Sequence, residues 1–144
     1  MAILTGAYEH QLDAKNRMRI PAKLKKELGD EFYFAKGIDH CVFIYTKAEV
    51  DRITAIASEI KLADPRLKSA RVFLKNIVSV KEDDHGRILM SNEMKAHLGL
   101  EKDDKDLVIC GAGSRIEIWS KSNYISYFGE EDKDYDTLVK DLGI

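Results

Sequence analysis

Two matched sets of residues carry the chemistry that this sequence can do. Asp13-Ala14-Lys15-Asn16-Arg17 leads into Met18-Arg19-Ile20-Pro21, and Asp83-Asp84-His85-Gly86-Arg87 leads into Ile88-Leu89-Met90-Ser91. Asp13 and Asp83 are short carboxylates that can accept backbone N–H groups and close a tight turn. Asn16 and Gly86 hold the same place in the two sets, and they are the residue types that most readily adopt positive φ. Arg17 and Arg87 end the turns with a planar fork of donors suited to a carboxylate, a phosphate or a guanine edge. Two roles are open for these arginines: pairing with Asp13 and Asp83 to hold the turn, or contacting an anionic ligand.

Other reactive groups form no convincing site. His10, His40, His85 and His97 are scattered. Asp39-His40-Cys41 could suggest a nucleophile or a metal cluster, but neighbouring strand residues point to opposite faces. Gly113-Ser114 could suggest self-cleavage, yet a glycine-rich turn there needs only backbone freedom. No phosphate loop or metal-binding spacing is present. Cys41 and Cys110 are far apart and form no CxxC pair, so they are expected to be reduced and buried. No enzyme, catalytic residue, metal, cofactor or small-molecule substrate is expected.

The elements that must position the two sets repeat with them. Shifted by 70, the stretch 8–29 falls on 78–99; shifted by 74, 34–47 falls on 108–121. The change of shift places four extra residues near Glu101–Lys105 in the second copy. Within each copy an alternating strand (Tyr8, His10, Leu12) enters the turn, and a second strand leaves it. A short helix follows, with Pro21 suited to its start, Leu24 and Leu28 on one face and Gly29 past its end. Two strands joined at Gly37-Ile38-Asp39 complete the copy, matched by strands around Gly111-Ala112-Gly113.

Thr46 and Glu49 form a capping box for a connector helix with Val50, Ile53, Ile56 and Ile60 on one face. Asp64-Pro65 caps a second connector helix, and Ser120 caps one running through Tyr124, Tyr127 and Phe128. The stretch 129–144 carries six acids against two lysines, net -4, and reads as a solvated, partly frayed tail. The expected division is 7–49 for a first unit, 50–77 for a helical connector, 78–122 for a second unit, and 123–144 for a C-terminal helix and acidic tail. Units of about 45 residues are too small to support a core alone, so the two are expected to share one.

The chain has 144 residues, 44% of them apolar, 33% charged, and a net charge of only -2. No apolar run reaches the roughly 20 residues of a membrane span, and no signal peptide is evident. Charge is local. From Asp13 to Lys26 six bases (Lys15, Arg17, Arg19, Lys23, Lys25, Lys26) stand against one acid, net +5, while 81–95 is net -1. Such clustering suits phosphate neutralisation, although lysines on an amphipathic helix are ordinarily just solvated.

Asp13…Arg17 and Asp83…Arg87, together with Glu9-His10-Gln11-Leu12-Asp13, Arg19-Ile20-Pro21-Ala22 and Arg115-Ile116-Glu117-Ile118-Trp119, resemble the MraZ family over nearly the whole chain. Asn16 departs from the glycine common there, and Ser91 replaces the proline of the first copy. The resemblance implies an α+β, β-rich fold: two pseudo-symmetric AbrB-like swapped-hairpin units forming a compact β-barrel with peripheral helices. It implies a cytoplasmic, nucleoid-associated transcriptional regulator. Its partners would be double-stranded promoter DNA carrying short direct repeats upstream of the division and cell-wall genes, its own gene included, and further copies of itself in a ring-like homo-oligomer. On that reading Lys15, Arg17 and Arg87 contact DNA; Arg19, two residues past Arg17 on the same strand face, can reach the same surface, and the local charge makes the first turn the principal reader, while Asp13, Asn16, Asp83 and Gly86 shape the turns. The exposed connector face and Tyr124, Tyr127 and Phe128 are candidates for subunit contacts. The alternative is an antitoxin-like interaction module of the same fold.

Overall fold

A computed structural model describes residues 2–129 and 131–144. The elements run β1 (Ala7–Gln11), β2 (Arg17–Met18), α1 (Ala22–Leu28), β3 (Phe32–Lys36), β4 (Val42–Thr46), α2 (Lys47–Ser58) and α3 (Leu67–Lys75). The second copy supplies β5 (Val78–Val80), β6 (Ile88–Leu89), α4 (Asn92–His97), β7 (Asp106–Gly111), β8 (Arg115–Ser120), α5 (Lys121–Phe128) and α6 (Glu131–Asp141). Six strands form an antiparallel sheet in the order β1-β7-β8-β4-β3-β5, and β2 pairs with β6 in a separate ribbon.

The two copies exchange strands. β1 of the first copy pairs with the hairpin of the second (Tyr8 opposite Ile109), and β5 of the second pairs with the hairpin of the first (Tyr33 opposite Ser79). The hairpins meet at β4–β8, where Val42 faces Ile118 and Ile44 faces Ile116. Adding 74 to 42 and 44 gives 116 and 118, so this pair maps onto itself. In the ribbon Met18 faces Ile88, and 18 + 70 is 88. One pseudo-twofold axis therefore runs through both contacts.

Period-2 alternation gives the sheet two buried faces. Val42, Ile44, Ile116 and Ile118, all fully buried, pack with Leu24, Leu28, Met94, Leu98 and the ribbon's Met18 and Ile88. Each such side chain contributes roughly 1.5–3 kcal/mol. On the opposite face Cys41, Phe43, Tyr45 and Trp119 form a second cluster, covered by Ile53, Phe73, Tyr124 and Phe128 of the helices. The helices cap as their sequences indicate: the hydroxyls of Thr46, Ser91 and Ser120 each accept the N–H three residues on.

Several expectations need correction. The hydrogen-bonded ladders do not close into a barrel among the described residues; β1 and β5 are open sheet edges. The chain leaves both edges through the two turns, so β2 and β6 pair with each other instead of continuing the sheet. Pro21 occupies the cap position just before α1, not the first helical turn. The Asp64 carboxylate bonds the Arg66 N–H at 2.8 Å, but Arg66 holds the cap position of α3. The acidic tail is helical from Glu131 to Asp141. Glu131 and Asp134 favour a helix start, and Tyr135, Leu138, Val139 and Leu142 recur with helical period, a pattern that the charge count obscured. Cys41 is buried and Cys110 half-buried, both free.

Candidate nucleic-acid interface

The two turns are built bond for bond alike. In the first, Asp13 N–H donates to the Arg17 carbonyl (2.9 Å) and Asn16 N–H to the Asp13 carbonyl (3.0 Å); in the second, Asp83 donates to Arg87 (2.8 Å) and Gly86 to Asp83 (3.0 Å). Asp13 Oδ1 accepts the N–H groups of Lys15 and Arg17, and Asp83 Oδ1 those of His85 and Arg87, all at 2.9 Å. Asn16 takes φ 62° and Gly86 φ 73°. Asparagine is among the few residues with a side chain that tolerate this region.

The remaining carboxylate oxygen engages the arginine sideways. Arg17 Nε donates to Asp13 Oδ2 at 2.9 Å and Arg87 Nε to Asp83 Oδ2 at 2.8 Å. The backbone N–H of Arg17, then that of Lys15 and the Arg17 guanidinium, hold the Asp13 carboxyl below its ordinary value against the effect of partial burial. The backbone N–H of Arg87, then that of His85 and the Arg87 guanidinium, draw Asp83 down to about 2, again against burial. Both aspartates are thus firmly charged at neutral pH. The terminal amino groups of Arg17 have no protein partner among the described residues. Those of Arg87 reach only the His85 ring, at 3.4 Å. Turn-holding and ligand contact therefore do not exclude each other: one edge of each guanidinium is fixed, and the other is available.

The β2–β6 ribbon brings the two turns together. Met18 and Ile88 point into the core at 2% and 1% exposure, so their neighbours point outward. The outer face carries Arg17 and Arg19 on one strand and Arg87 and Leu89 on the other. Arg19 crosses over, its Nε donating to the His85 carbonyl at 3.0 Å. Lys15 is exposed at the tip of the first turn.

The charge distribution in space differs from that along the chain. Lys95 and Lys105, both from the second copy, donate to Asn16 Oδ1 of the first turn, Lys95 at 3.1 Å. Lys25 reaches the opposite way but is held between Glu82 and Asp30, each at 3.1 Å. The first turn is therefore the more basic, partly for a reason that sequence reading missed. The extra residues near Glu101–Lys105 were visible in the repeat, but not that they deliver Lys105 to Asn16. Leu89, 65% exposed, was also overlooked as an outward group.

The competing sites come apart. Asp39 and His40 lie in the β3–β4 turn with φ 56° and 62°, the signature of a type I′ hairpin, and not in a strand. The Cys41 thiol donates to the Ile38 carbonyl, and burial pushes its pKa to about 12, far from a thiolate nucleophile. Gly113 exchanges backbone hydrogen bonds with Leu4, at 2.8 and 3.1 Å. No group of His, Cys, Asp and Glu suited to a metal occurs among the described residues, and none of their helices is long and apolar enough to cross a membrane.

A tandem pair of strand-exchanged units that displays twin aspartate–arginine turns on one two-stranded ribbon defines the chain as a β-rich α+β protein built from two copies of one unit. The model described as "MraZ protein, putative antitoxin-like" matches it twice, over residues 3–72 and 73–140, and the chain belongs to that family. It is similar to a protein named transcriptional regulator MraZ from Clostridium botulinum (strain Eklund 17B / Type B), 39% identical over 96% of this chain and 98% of that one. It is likewise similar to proteins of the same name from Thermoanaerobacter sp. (strain X514), 36% identical over 97% of this chain and 96% of that one, and Acetivibrio thermocellus, 33% identical over 96% of each. These relatives are named for regulation of transcription, not for a catalysed reaction.

Proposed function

We propose that the protein is a transcriptional regulator that binds double-stranded promoter DNA through the outer face of the β2–β6 ribbon and its two turns. The observation that carries this reading is the gathering of half-buried Arg17 and Arg87 and exposed Arg19 on one outward face, with exposed Lys15 beside them. A two-stranded ribbon fits the major groove of B-form DNA. Arg17, fixed edge-on by Asp13, offers its terminal amino groups to a guanine O6 and N7. On this reading Lys15, together with Lys95 and Lys105 gathered at Asn16, meets the flanking phosphates, which positions the reader without specifying sequence. Arg87 is the weaker reader, because Asp84 and Glu82 stand around it. Asp13, Asn16, Asp83 and Gly86 set the turn geometry.

One such surface gives modest affinity. Several copies engaging short direct repeats gain through effective concentration, which favours a self-associating, ring-like regulator acting at the promoter of its own cell-wall and division gene cluster. This reading makes the protein cytoplasmic and nucleoid-associated, and the strand exchange supports AbrB-like swapped hairpins as its two units. In functional terms, 7–49 and 78–122 are the reading units, 50–77 connects them, and 123–144 extends the second.

The test is a gel shift and footprint on the DNA upstream of the gene itself, with parent and Arg17→Ala proteins. Protection of regularly spaced repeats that is lost in a folded Arg17→Ala variant is the expected result. Unchanged binding by that variant refutes the assignment. An antitoxin-like role, for which the exposed α6 is the supporting feature, predicts no promoter protection by the chain alone.

A further inference from the structure

Two surface features take no part in the proposed DNA contact. The first is an apolar groove of about 400 Å³ between α2 and α3, lined chiefly by Ile53, Ile56, Ile60, Ala70 and Phe73 with Arg66 at its margin. Ile56 is 56% exposed. The second is α6, whose Tyr135, Leu138 and Leu142 fall on one side and are all exposed. An isolated helix of this length is marginal in water, and an apolar stripe facing solvent marks a contact surface.

The two features are complementary in charge. Residues 47–77, which span both walls of the groove, carry seven bases against four acids, net +3, with the excess on the α3 side. Residues 131–141 carry five acids against Lys133 and Lys140, net -3. They also occupy corresponding places: α2–α3 follow the first hairpin and α5–α6 the second. Yet α3 packs its Phe73 onto Tyr45, while α6 leaves its apolar stripe open. The Tyr124 hydroxyl lies 3.5 Å from a Glu131 carboxylate oxygen, so the start of α6 sits beside α5, and no described residue of α6 lines the groove of its own chain.

Building on the self-association proposed above, we propose that α6 of one copy lies in the α2–α3 groove of a second copy. The apolar stripe fills the groove, and its acidic flanks meet the basic margin. The two patches are different surfaces of one chain, so the contact is head-to-tail and each copy offers one of each.

Sedimentation velocity on the full chain without DNA tests this. Leu138→Asp spoils the helix stripe and Ile56→Asp the groove; both positions are exposed, and circular dichroism checks that each variant folds. Each alone is expected to weaken association by roughly tenfold or more. An equimolar mixture of the two is expected to form one-to-one complexes and nothing larger, because one intact helix and one intact groove remain per pair. Association of the parent is expected to fall with added salt. A parent that stays monomeric overturns the proposal, whether α6 serves another protein or none. So does either variant assembling as the parent does, or a mixture that stays monomeric. A parent that assembles in this way but leaves promoter DNA unprotected refutes the DNA reading alone.

Discussion

At Arg17 the Nε is tied to Asp13 while the terminal amino groups are left over, and this division of one guanidinium sets the expected effect of mutation. Arg17→Ala removes a bidentate reader worth roughly 1–3 kcal/mol, so specific affinity is expected to fall by about one to two orders of magnitude in a gel shift, with the fold retained. Arg87→Ala is expected to cost less, since its surroundings are acidic; equal losses would contradict that ranking. The aspartates have a different signature. Their folded pKa values lie below the unfolded ones, so their stabilising contribution is present above pH about 4 and is lost as pH falls toward about 2, where Asp83 takes up its proton. Denaturant melts from pH 5 to 2 are expected to show this decline, and Asp13→Ala or Asp83→Ala to lower stability at pH 7 and flatten it.

The elements of the first rank were legible because their causes are local. An aspartate, a φ-tolerant residue and an arginine define each turn without help from the rest of the chain, and Thr46, Ser91 and Ser120 announce the helices they cap. What pairs with what is non-local, and period-2 alternation in β1 says which face is buried but not that β7 of the other copy lies beside it. The delivery of Lys95 and Lys105 to Asn16 was illegible for the same reason, since 79 residues separate Lys95 from Asn16. In α6 the acidic composition masked a helical period that was already present. The N-terminal segment depends on one close approach: a Cβ on Gly111 would sit 2.2 Å from the Thr5 nitrogen and 2.3 Å from the Leu4 carbonyl carbon. Gly111→Ala is therefore expected to cost about 1–3 kcal/mol as the segment is pushed off, measurable as a lower denaturation midpoint.

For the molecule as a whole, exchange makes the two halves mutually dependent. Each hairpin takes its outer strand from the other copy, and Ile44 and Ile116 bury against each other across the axis. Residues 1–77 and 78–144, divided after α3 and before β5, are expected to lack a cooperative melt when produced separately, and to recover one when mixed. A half that melts cooperatively as a monomer would show that the shared core is dispensable.

The pseudo-twofold axis through Met18 and Ile88 has a consequence for how a duplex is approached. A surface with a true dyad would dock equally well after a half-turn rotation and could not tell one strand direction from the other. Here the rotation superposes Arg19 on Leu89 and Asn16 on Gly86, so the two orientations are inequivalent. The ribbon has a polarity, and tracts read by successive copies in the same pose must all run the same way along the duplex.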